Sequence, residues 1–474
     1  MKRTLLAALA LAALLPAAPA AAQQTETLPF KISWQPVSIP NLPALQSFAR
    51  ATDSQGRWLL LTGRRAGLHG FSAPPTNNFP PTEMNDSIYV VDPSARQVWS
   101  MPVSIFPDSV ADLLRVTNAQ SVQNGNTLYV IGGYGMNSST GRMMTFPTLM
   151  AINIPAAVTA VTSKDAAGLS EAITWSHDWR LAVTGGELQR LGSTYYLIFG
   201  QQFDGLYDPN DSNIGVTFTQ RYTEQIARFT LTTTSSGRPA VGTYYAPYTS
   251  TAPNRPYHRR DLTSAPVIST SGSQGLGIYG GVFAPGNDST YRQAVYINGA
   301  GVAPVLATYT QYMNQYTGAV LPMYSATRGR TMFTTFFGGI SLYQVDRTSD
   351  PDRLVRNDTV PFVSAVSTLV RRSDGSTFEC VWPDSLPGLL GAESALLPAA
   401  GVPDFDNGVV QLDRLPPAST LGYFYGGIQA QQPNFGPSTA TNLVLELKIA
   451  PLPTTCAVAT APPVPQTGAI RRRP

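Results

Sequence analysis

The sequence predicts an all-β fold, a six-bladed β-propeller whose blades are four-stranded antiparallel sheets. Three observations lead to this prediction. Six short runs of β-branched and aromatic residues, each ending in glycine, recur along the chain. Glycine and proline number 40 each, which is typical of a chain with many turns. A strand-like segment near the N-terminus has no neighbour to pair with, and the last repeat lacks a final strand.

The N-terminus has the pattern of a signal peptide. Met1, Lys2 and Arg3 form a basic start, and an apolar run over 5–15 follows. That run is too short to span a bilayer, and alanines at 20–22 suit a signal peptidase. We therefore expect residues 1–22 to be removed and the mature chain to be secreted, whether periplasmic, cell-surface or extracellular. The alternative is an uncleaved anchor or a buried helix.

The six glycine-ended runs are interpreted as buried strands, because continuous apolar residues bounded by glycine suit a strand packed on both faces. The glycines allow the close backbone approach that a propeller needs near its axis. The runs lie at 58–63, 128–133, 195–200, 276–281, 334–339 and 422–427.

The residues around the first run resemble the kelch-repeat family of the galactose oxidase-like superfamily. That repeat places glycines after the second strand, a tyrosine-containing third strand and a tryptophan before the fourth. Here Gly63 is followed by Tyr89 in 88–93 and then by Trp99. The resemblance covers nearly all of residues 28–450 and implies a kelch-type propeller. The repeats are longer than the roughly 50 residues of a minimal kelch unit, so inserted loops must take up the difference.

Ring closure gives a separate prediction. Residues 30–37, which include Trp34, look like a fourth strand without a blade, whereas the chain turns to proline after Ile449. We expect the N-terminal strand to complete the blade that carries 443–447, because a propeller must otherwise leave strand edges exposed. A seventh, degenerate blade within 339–420 is the alternative. The propeller domain then spans 23–450, and 451–474 forms a proline-rich disordered tail.

Composition narrows the classes of partner. The net charge is +3, and only Arg471 to Arg473 form a basic run, so we expect no nucleic-acid partner. No stretch after the signal peptide reaches the roughly 20 apolar residues of a membrane span. The two cysteines, Cys380 and Cys456, permit one disulfide in an oxidising compartment. The alternative is two free thiols.

The segments that follow the glycine runs are long and rich in aromatic and polar residues. Such residues suit carbohydrate or protein ligands, and blade symmetry predicts that they converge on one exposed rim. The leading prediction is therefore a binding module with no cofactor, metal site or assigned catalytic residue. The candidate ligand-binding residues are Arg64, Arg65, His69, Tyr134, Arg142, Phe203, Asp204, Tyr207, Arg260, Asp261 and Phe435.

A kelch-type enzyme is the alternative function. A sugar isomerase or mutarotase-like enzyme needs acid and base groups at the central funnel, where Glu187, Asp261 and Glu393 are candidates by position. A copper oxidase-like site is disfavoured, because the chain has only 3 histidines. His69 and His258 could nevertheless lie on loops at the same end of the propeller and bind copper. Convergent carboxylates with a histidine would favour an enzyme, and a shallow aromatic shelf would favour a binder.

Overall fold

The computed structural model describes residues 24–71, 78–208, 218–284, 289–348, 352–434 and 436–459. The regular structure in this part of the chain consists mainly of antiparallel β-strands. Its α-helices are short and lie within the first two repeats, at Asp108–Leu114, Ile154–Ser163 and Ala166–Ala172. Single 3-10 turns lie at Pro81–Glu83, Val103–Ile105, Trp179–Leu181 and Leu412–Arg414. None of the helices in the described ranges is long and apolar enough to cross a membrane.

Six sheets each contain four antiparallel strands that form a meander. The first has Ala49–Thr52, Trp58–Leu61, Ser87–Asp92 and Gln97–Pro102. The second has Gln120–Asn124, Thr127–Ile131, Thr148–Asn153 and Ile173–His177. The third has Glu187–Leu191, Thr194–Ile198, Gln225–Thr233 and Pro239–Thr249.

The remaining three sheets repeat this order. The fourth has Arg260–Ile268, Gln274–Ala284, Gln293–Ile297 and Val305–Thr310, with the short strand Ser289–Thr290 beside them. The fifth has Val320–Ser325, Thr331–Ile340, Phe362–Arg371 and Thr377–Ser385. The sixth has Ala395–Pro398, Ser419–Tyr425, Val444–Ala450 and Lys31–Pro36.

Every glycine-ended run of the sequence lies in the second strand of a sheet. These strands are buried because both faces pack against other sheets, and Trp58–Leu61 is buried along its whole length. The glycines at their ends meet close backbone. At Gly132, whose φ is +67°, a Cβ would lie 2.0 Å from the carbonyl oxygen of Val183. No side chain fits there, which explains why the run ends in glycine.

The first strands of the six sheets contact one another in sequence order. Each touches the first strand of the next sheet, and that of the sixth touches that of the first. The core fills the spaces between neighbouring sheets. Between the sixth and first sheets, for example, the rings of Trp58 and Tyr425 lie 5.7 Å apart.

The predicted pairing of the N-terminal segment with the last repeat is present. Lys31–Pro36 runs antiparallel to Val444–Ala450, with Lys31 opposite Ala450 and Pro36 opposite Leu445. The interval 339–420 supplies strands to the fifth and sixth sheets and the hairpin Tyr343–Asp346/Arg353–Arg356. The described residues of this interval therefore form no seventh four-stranded sheet.

The tail predicted from residue 451 is wrong for its first part. Thr454–Val458 forms a strand between Thr377–Ser385 and the N-terminal strand Thr25–Leu28. Cys380 and Cys456 form a disulfide across this pairing, with their Cα atoms 5.5 Å apart. A strand forms because Cys456 and Val458 are buried against the fifth sheet, and the proline pattern did not reveal that burial. Residues 460–474 lie outside the described ranges.

The connections after the second strands are partly structured too. The connections in the second and third sheets form a five-stranded sheet together with Val116–Thr117. Its other strands are Tyr134–Asn137, Arg142–Thr145, Gln201–Gly205 and Phe218–Tyr222. We call it the cover sheet. Another connection forms the hairpin Ile428–Ala430/Ser438–Ala440. The sequence predicts these connections as exposed loops, and their strand pairing changes which side chains are accessible. Between the first two strands of the sixth sheet, Val410–Gln411 pairs with Val320–Ser325 in parallel.

Candidate functional site

A pocket lies beside the cover sheet and the starts of five of the six sheets. Seven of the candidate ligand-binding residues are among the side chains that line it, and the folded connections bring them together. The candidate residues that line it are Arg64, His69, Tyr134, Phe203, Tyr207, Arg260 and Asp261.

These side chains are not the exposed rim that the sequence predicts. Arg64, Tyr134 and Phe203 are 2%, 3% and 6% exposed. Their burial follows from the cover sheet, which fixes the rings against one another. The Tyr134 hydroxyl donates to the Gly205 carbonyl at 2.6 Å and accepts from the Tyr207 backbone N–H at 3.2 Å. These side chains therefore do not form an exposed surface, although they do come together around one pocket.

Aromatic rings form one wall of the pocket. The ring of Phe203 lies 5.8 Å from that of Tyr134 and 5.2 Å from that of Tyr207. The guanidinium of Arg260 lies over the same two rings, 5.7 Å from Phe203 and 5.6 Å from Tyr207. Such a wall can stack on a flat apolar face of a ligand, and the cation beside it can bind polar groups.

Other candidates lie elsewhere. Arg142 and Asp204 form an exposed ion pair at 2.8 Å on the cover sheet, and Arg65 pairs with Asp86 at 3.3 Å in an exposed position. None of these residues lines the pocket. Phe435 lies outside the described residues.

Two arginines bring positive charge to the pocket. Arg64 binds Glu83 at 2.6 Å, and its Nε makes no hydrogen bond within the described ranges. Burial lowers the pKa of Arg64, against the opposing effect of Glu83. Arg260 lies 3.5 Å from the Asp261 carboxylate and donates to the Tyr207 hydroxyl at 3.2 Å. Burial acts to lower the pKa of Arg260, but the neighbouring oxygens of Tyr207, Asp261 and Tyr222 together raise it. Both guanidinium groups are therefore charged.

The floor of the pocket is formed where the chain enters each sheet. One residue at the start of each first strand has a positive φ, between +48° and +64°. We call these the junction residues: Ser47, Asn118, Gly185, Asp261, Thr317 and Glu393.

Backbone hydrogen bonds link neighbouring junction residues. Gly185 donates to Asn118 at 3.1 Å and Asp261 donates to Gly185 at 2.8 Å. On the other side Ser47 donates to Glu393 at 3.3 Å, and Glu393 donates to Thr317. Left-handed backbone is costly for residues other than glycine and is concentrated at functional sites. Five of the junction residues nevertheless carry polar side chains in this conformation, which marks the floor as a candidate site.

A second pocket meets the first at the junction residues. Ser47, Asn118, Gly185, Asp261 and Glu393 line both pockets. The second pocket also contains Glu187 together with further polar side chains, among them Arg50, Gln120 and Gln189. Glu187, Asp261 and Glu393, the carboxylates considered for an enzyme, therefore share one pocket.

The environment of these carboxylates favours their protonated forms. Burial raises the pKa of Glu393 to about 8, and the nearby Asp261 carboxylate adds to the effect. Burial likewise raises the pKa of Glu187 to about 7. It also raises the pKa of Asp261, but the Arg260 cation opposes that effect. Neighbouring carboxylates with different environments can act as acid and base.

His69 is a neutral imidazole whose tautomer is fixed. Its Nδ1 lies 2.9 Å from the Gly70 carbonyl oxygen, which can only accept, so Nδ1 carries the proton and Nε2 is an acceptor. Burial lowers the pKa of His69 to about 4, and the Arg260 and Arg64 cations contribute. Its ring packs against Phe79 and Tyr207, with centroids 5.4 Å and 4.9 Å apart.

Several pocket residues were not predicted, among them Gln46, Ser47, Phe79 and Asn118. The missed signal was the start of each first strand, since the repeats are recognised in the sequence by their second strands. Ser47 and Asn118 stand at the position that Asp261 and Glu393 occupy in other repeats. Aligning the first strands would have revealed them.

The histidines considered for copper are not brought together. His258 is bonded through Nδ1 to Glu224 and stacks on Tyr222 at 3.9 Å, and it does not line the pocket that contains His69. Within the described ranges, no group of three or more histidine, cysteine, aspartate or glutamate residues could hold a metal ion.

Comparisons with known proteins identify no family for this chain. No protein-family model matches the chain, and no curated protein matches it. Solved structures do match, among them that of YjhT, with 14% sequence identity and a TM-score of 0.44. The match covers 87% of this chain and 99% of that one. At this level of similarity no function is transferred.

The raised carboxylate pKa values predict how stability depends on pH. Glu393, Glu187 and the buried Glu379 have pKa values of about 8, 7 and 7, above their ordinary value of 4.5. The folded chain thus keeps protons that the unfolded chain has lost, so stability falls as pH rises through 7 to 8. His69 has the opposite effect, because its pKa is lowered: its contribution to stability rises with pH, but only up to about pH 6.5. We expect the melting temperature to fall between about pH 6.5 and 8.

Glu393→Gln is the matching variant for this measurement, because it removes the group with the highest of the three pKa values. The variant should show a smaller fall in melting temperature over the same range. A melting temperature that rises with pH there would contradict the assignment.

Proposed function

We propose that this secreted chain is a six-bladed kelch-type propeller whose central pocket binds a carbohydrate and catalyses proton transfer on it. The observation that carries the proposal is the meeting of Asp261 and Glu393 on the floor of a pocket walled by aromatic rings and arginines. The disulfide supports an oxidising compartment. A carbohydrate is one of the two ligand classes expected from the sequence, but the site moves from an exposed rim to an open pocket lined by buried side chains.

The propeller arrangement is supported by the cycle of contacts among the first strands. In a propeller the first strand of each blade lies nearest the axis, so neighbouring first strands must touch in a closed order. The pairing of Lys31–Pro36 with Val444–Ala450 is the closure such a ring requires. The junction residues then surround the axis, and both pockets lie along it.

The lining chemistry supports a carbohydrate. Tyr134, Phe203 and Tyr207 provide ring faces for the C–H face of a sugar, and Arg64 and Arg260 provide donors for its oxygens. A protein segment is a poorer fit, since most of these side chains are buried rather than presented on a surface.

Proton transfer follows from the two carboxylates. Glu393 carries a proton at neutral pH. Burial raises the pKa of Asp261 too, but the Arg260 cation opposes that effect, so we assign Asp261 as the base of the pair. With a reducing sugar, Glu393 gives its proton to the ring oxygen while Asp261 takes the proton of the anomeric hydroxyl. The bond from the anomeric carbon to the ring oxygen breaks and an open-chain carbonyl forms. Reversal after rotation yields the other anomer, so no proton is consumed.

Glu393→Gln tests this function. Binding of D-glucose, D-galactose, N-acetyl-D-glucosamine and D-glucuronate can be measured by saturation-transfer NMR, and anomer interconversion by exchange spectroscopy. We expect at least one sugar to bind and its anomers to interconvert faster with the wild-type chain. The variant should retain binding but lose acceleration by roughly 10²-fold or more, the contribution of a positioned acid.

Glu446→Gln is the control, because Glu446 lies in the same sheet but contacts Gln35, Thr420 and Lys448 outside the pocket. It should leave both measurements unchanged. Binding without accelerated interconversion would leave a carbohydrate-binding module and refute the proton transfer. Binding of none of these sugars would refute the carbohydrate ligand.

A further inference from the structure

A chain of polar side chains leads from the pocket wall to Glu393. The Nε2 of Gln46, which is 3% exposed, donates to the carbonyl oxygens of Gly67 at 3.1 Å and Ala66 at 3.3 Å. These two acceptors fix the orientation of the amide, so its Oε1 faces the Ser47 hydroxyl. The same hydroxyl oxygen lies 2.6 Å from Oε2 of Glu393.

If Glu393 is ionised, these three side chains have too few protons for both contacts of Ser47 to be hydrogen bonds. The Ser47 hydroxyl has one proton to donate, but it lies within hydrogen-bond distance of two oxygens. Oε1 of Gln46 can only accept, so it must receive the serine proton or remain buried without a donor, which is costly. If Ser47 donates to Gln46, its contact with Glu393 is a hydrogen bond only when Glu393 carries the proton.

We infer that Glu393 donates its proton to Ser47 in the resting protein, and that Gln46 and Ser47 are positioning residues that hold Glu393 in its acid form. Both hydrogen bonds therefore point the same way. The Glu393 carboxyl donates to the Ser47 oxygen, and the Ser47 hydroxyl donates to Oε1 of Gln46. The inference deepens the proposed proton transfer and rests on it for its catalytic meaning, but the hydrogen-bond argument does not depend on a substrate.

The groups around Glu393 also affect whether it keeps its proton. The carboxylates of Asp261 and Glu187 disfavour a further negative charge. The Arg64 cation and the Glu393 carboxylate attract each other, and a hydrogen bond from the Thr317 side chain also favours the Glu393 anion, so both groups oppose the retention of the proton. Glu393 also interacts electrostatically with the Tyr316 hydroxyl. The junction backbone keeps Ser47 and Glu393 in register, because Ser47 donates its N–H to the Glu393 carbonyl.

Replacing Gln46 by leucine in the full-length chain tests whether the Ser47 hydroxyl donates to Gln46 or to Glu393. Without Oε1, Ser47 is free to donate to Glu393 and stabilise its anion. The proton affinity of Glu393 should then fall about tenfold, the effect of one hydrogen bond. Infrared spectroscopy of the protonated carboxyl band as a function of pH measures this, with Glu393→Gln identifying the band. No substrate is involved, so failure here is distinct from failure of the sugar assay.

Gln315→Leu is a matched control. Gln315 is equally buried and has the same bonding pattern, with Nε2 donating to the carbonyls of Gly338 and Ala365 at 2.6 Å and 2.7 Å. Its Oε1 accepts from the Ser367 hydroxyl at 2.7 Å, but no carboxylate follows in the chain of hydrogen bonds. This variant should leave the Glu393 titration unchanged.

Ser47→Gly provides a second variant if Gln46→Leu fails to fold, since glycine tolerates the positive φ of Ser47. Loss of an acceptor for the Glu393 proton should lower the proton affinity. If Ser47 instead donates to a Glu393 anion, Ser47→Gly will raise that affinity and Gln46→Leu will leave it unchanged. Either of those results would overturn the inference.

Discussion

Ile32→Asp is expected to unfold the chain or to leave it barely stable. Ile32 is fully buried in the strand that completes the sixth sheet, where it packs in the cluster that contains Phe30, Leu447 and Ile449. The substitution removes that packing and buries a charge without a partner, which together cost more than about 4 kcal/mol. A whole domain is stabilised by only about 5–15 kcal/mol. Urea unfolding followed by circular dichroism measures the loss.

Ser33→Asp is the control for this prediction. Ser33 lies next in the same strand but faces solvent, so the same new charge should change the free energy of unfolding by less than about 0.5 kcal/mol. Equal effects of the two substitutions would mean that the strand is not packed as described, and the closure of the sixth sheet would have to be abandoned.

Phe203→Ala is expected to lower the free energy of unfolding by about 3–5 kcal/mol, as for other large buried aromatic residues. Its ring contacts Tyr134, Tyr207 and Phe218, so its removal leaves a cavity beneath the cover sheet. The sequence led to the opposite expectation, an exposed ring whose loss costs little. Chemical denaturation at a fixed pH separates the two expectations.

Arg142→Ala serves as the comparison, because Arg142 lies on the same cover sheet but is exposed and paired only with Asp204. It should change stability by less than about 0.5 kcal/mol. If Phe203→Ala were equally mild, the cover sheet would not be packed as described and the exposed-rim interpretation would be restored.

The strands could be predicted because their signal is local. A continuous apolar run that ends in glycine has few alternatives to a buried strand, and each of the six runs is the second strand of a sheet. The pairing of residues 31–36 with the last repeat was also predictable, because a strand without a partner and a repeat without a final strand each require the other.

The site could be predicted only in part. Tyr134, Phe203 and Arg260 were identified by residue type, but their burial depends on Arg142–Thr145 pairing with Gln201–Gly205, between different connections. Such pairing has no local signal. Gln46 and Ser47 were missed for a similar reason, since their role depends on Glu393, which lies in another sheet.

The pairing of the first and last repeats also determines when folding can finish. The side chains of Gln35 and Glu446, bonded across this pairing, are 411 residues apart. As the chain is synthesised, Lys31–Pro36 emerges early but must wait without its partner until Val444–Ala450 has followed. Five of the sheets can meanwhile assemble from neighbouring segments, although the fifth gains its C-terminal strand later. The closing step is therefore a late event that depends on contacts between segments far apart in the sequence, and a chain stopped short of residue 444 would retain an unpaired strand at its beginning.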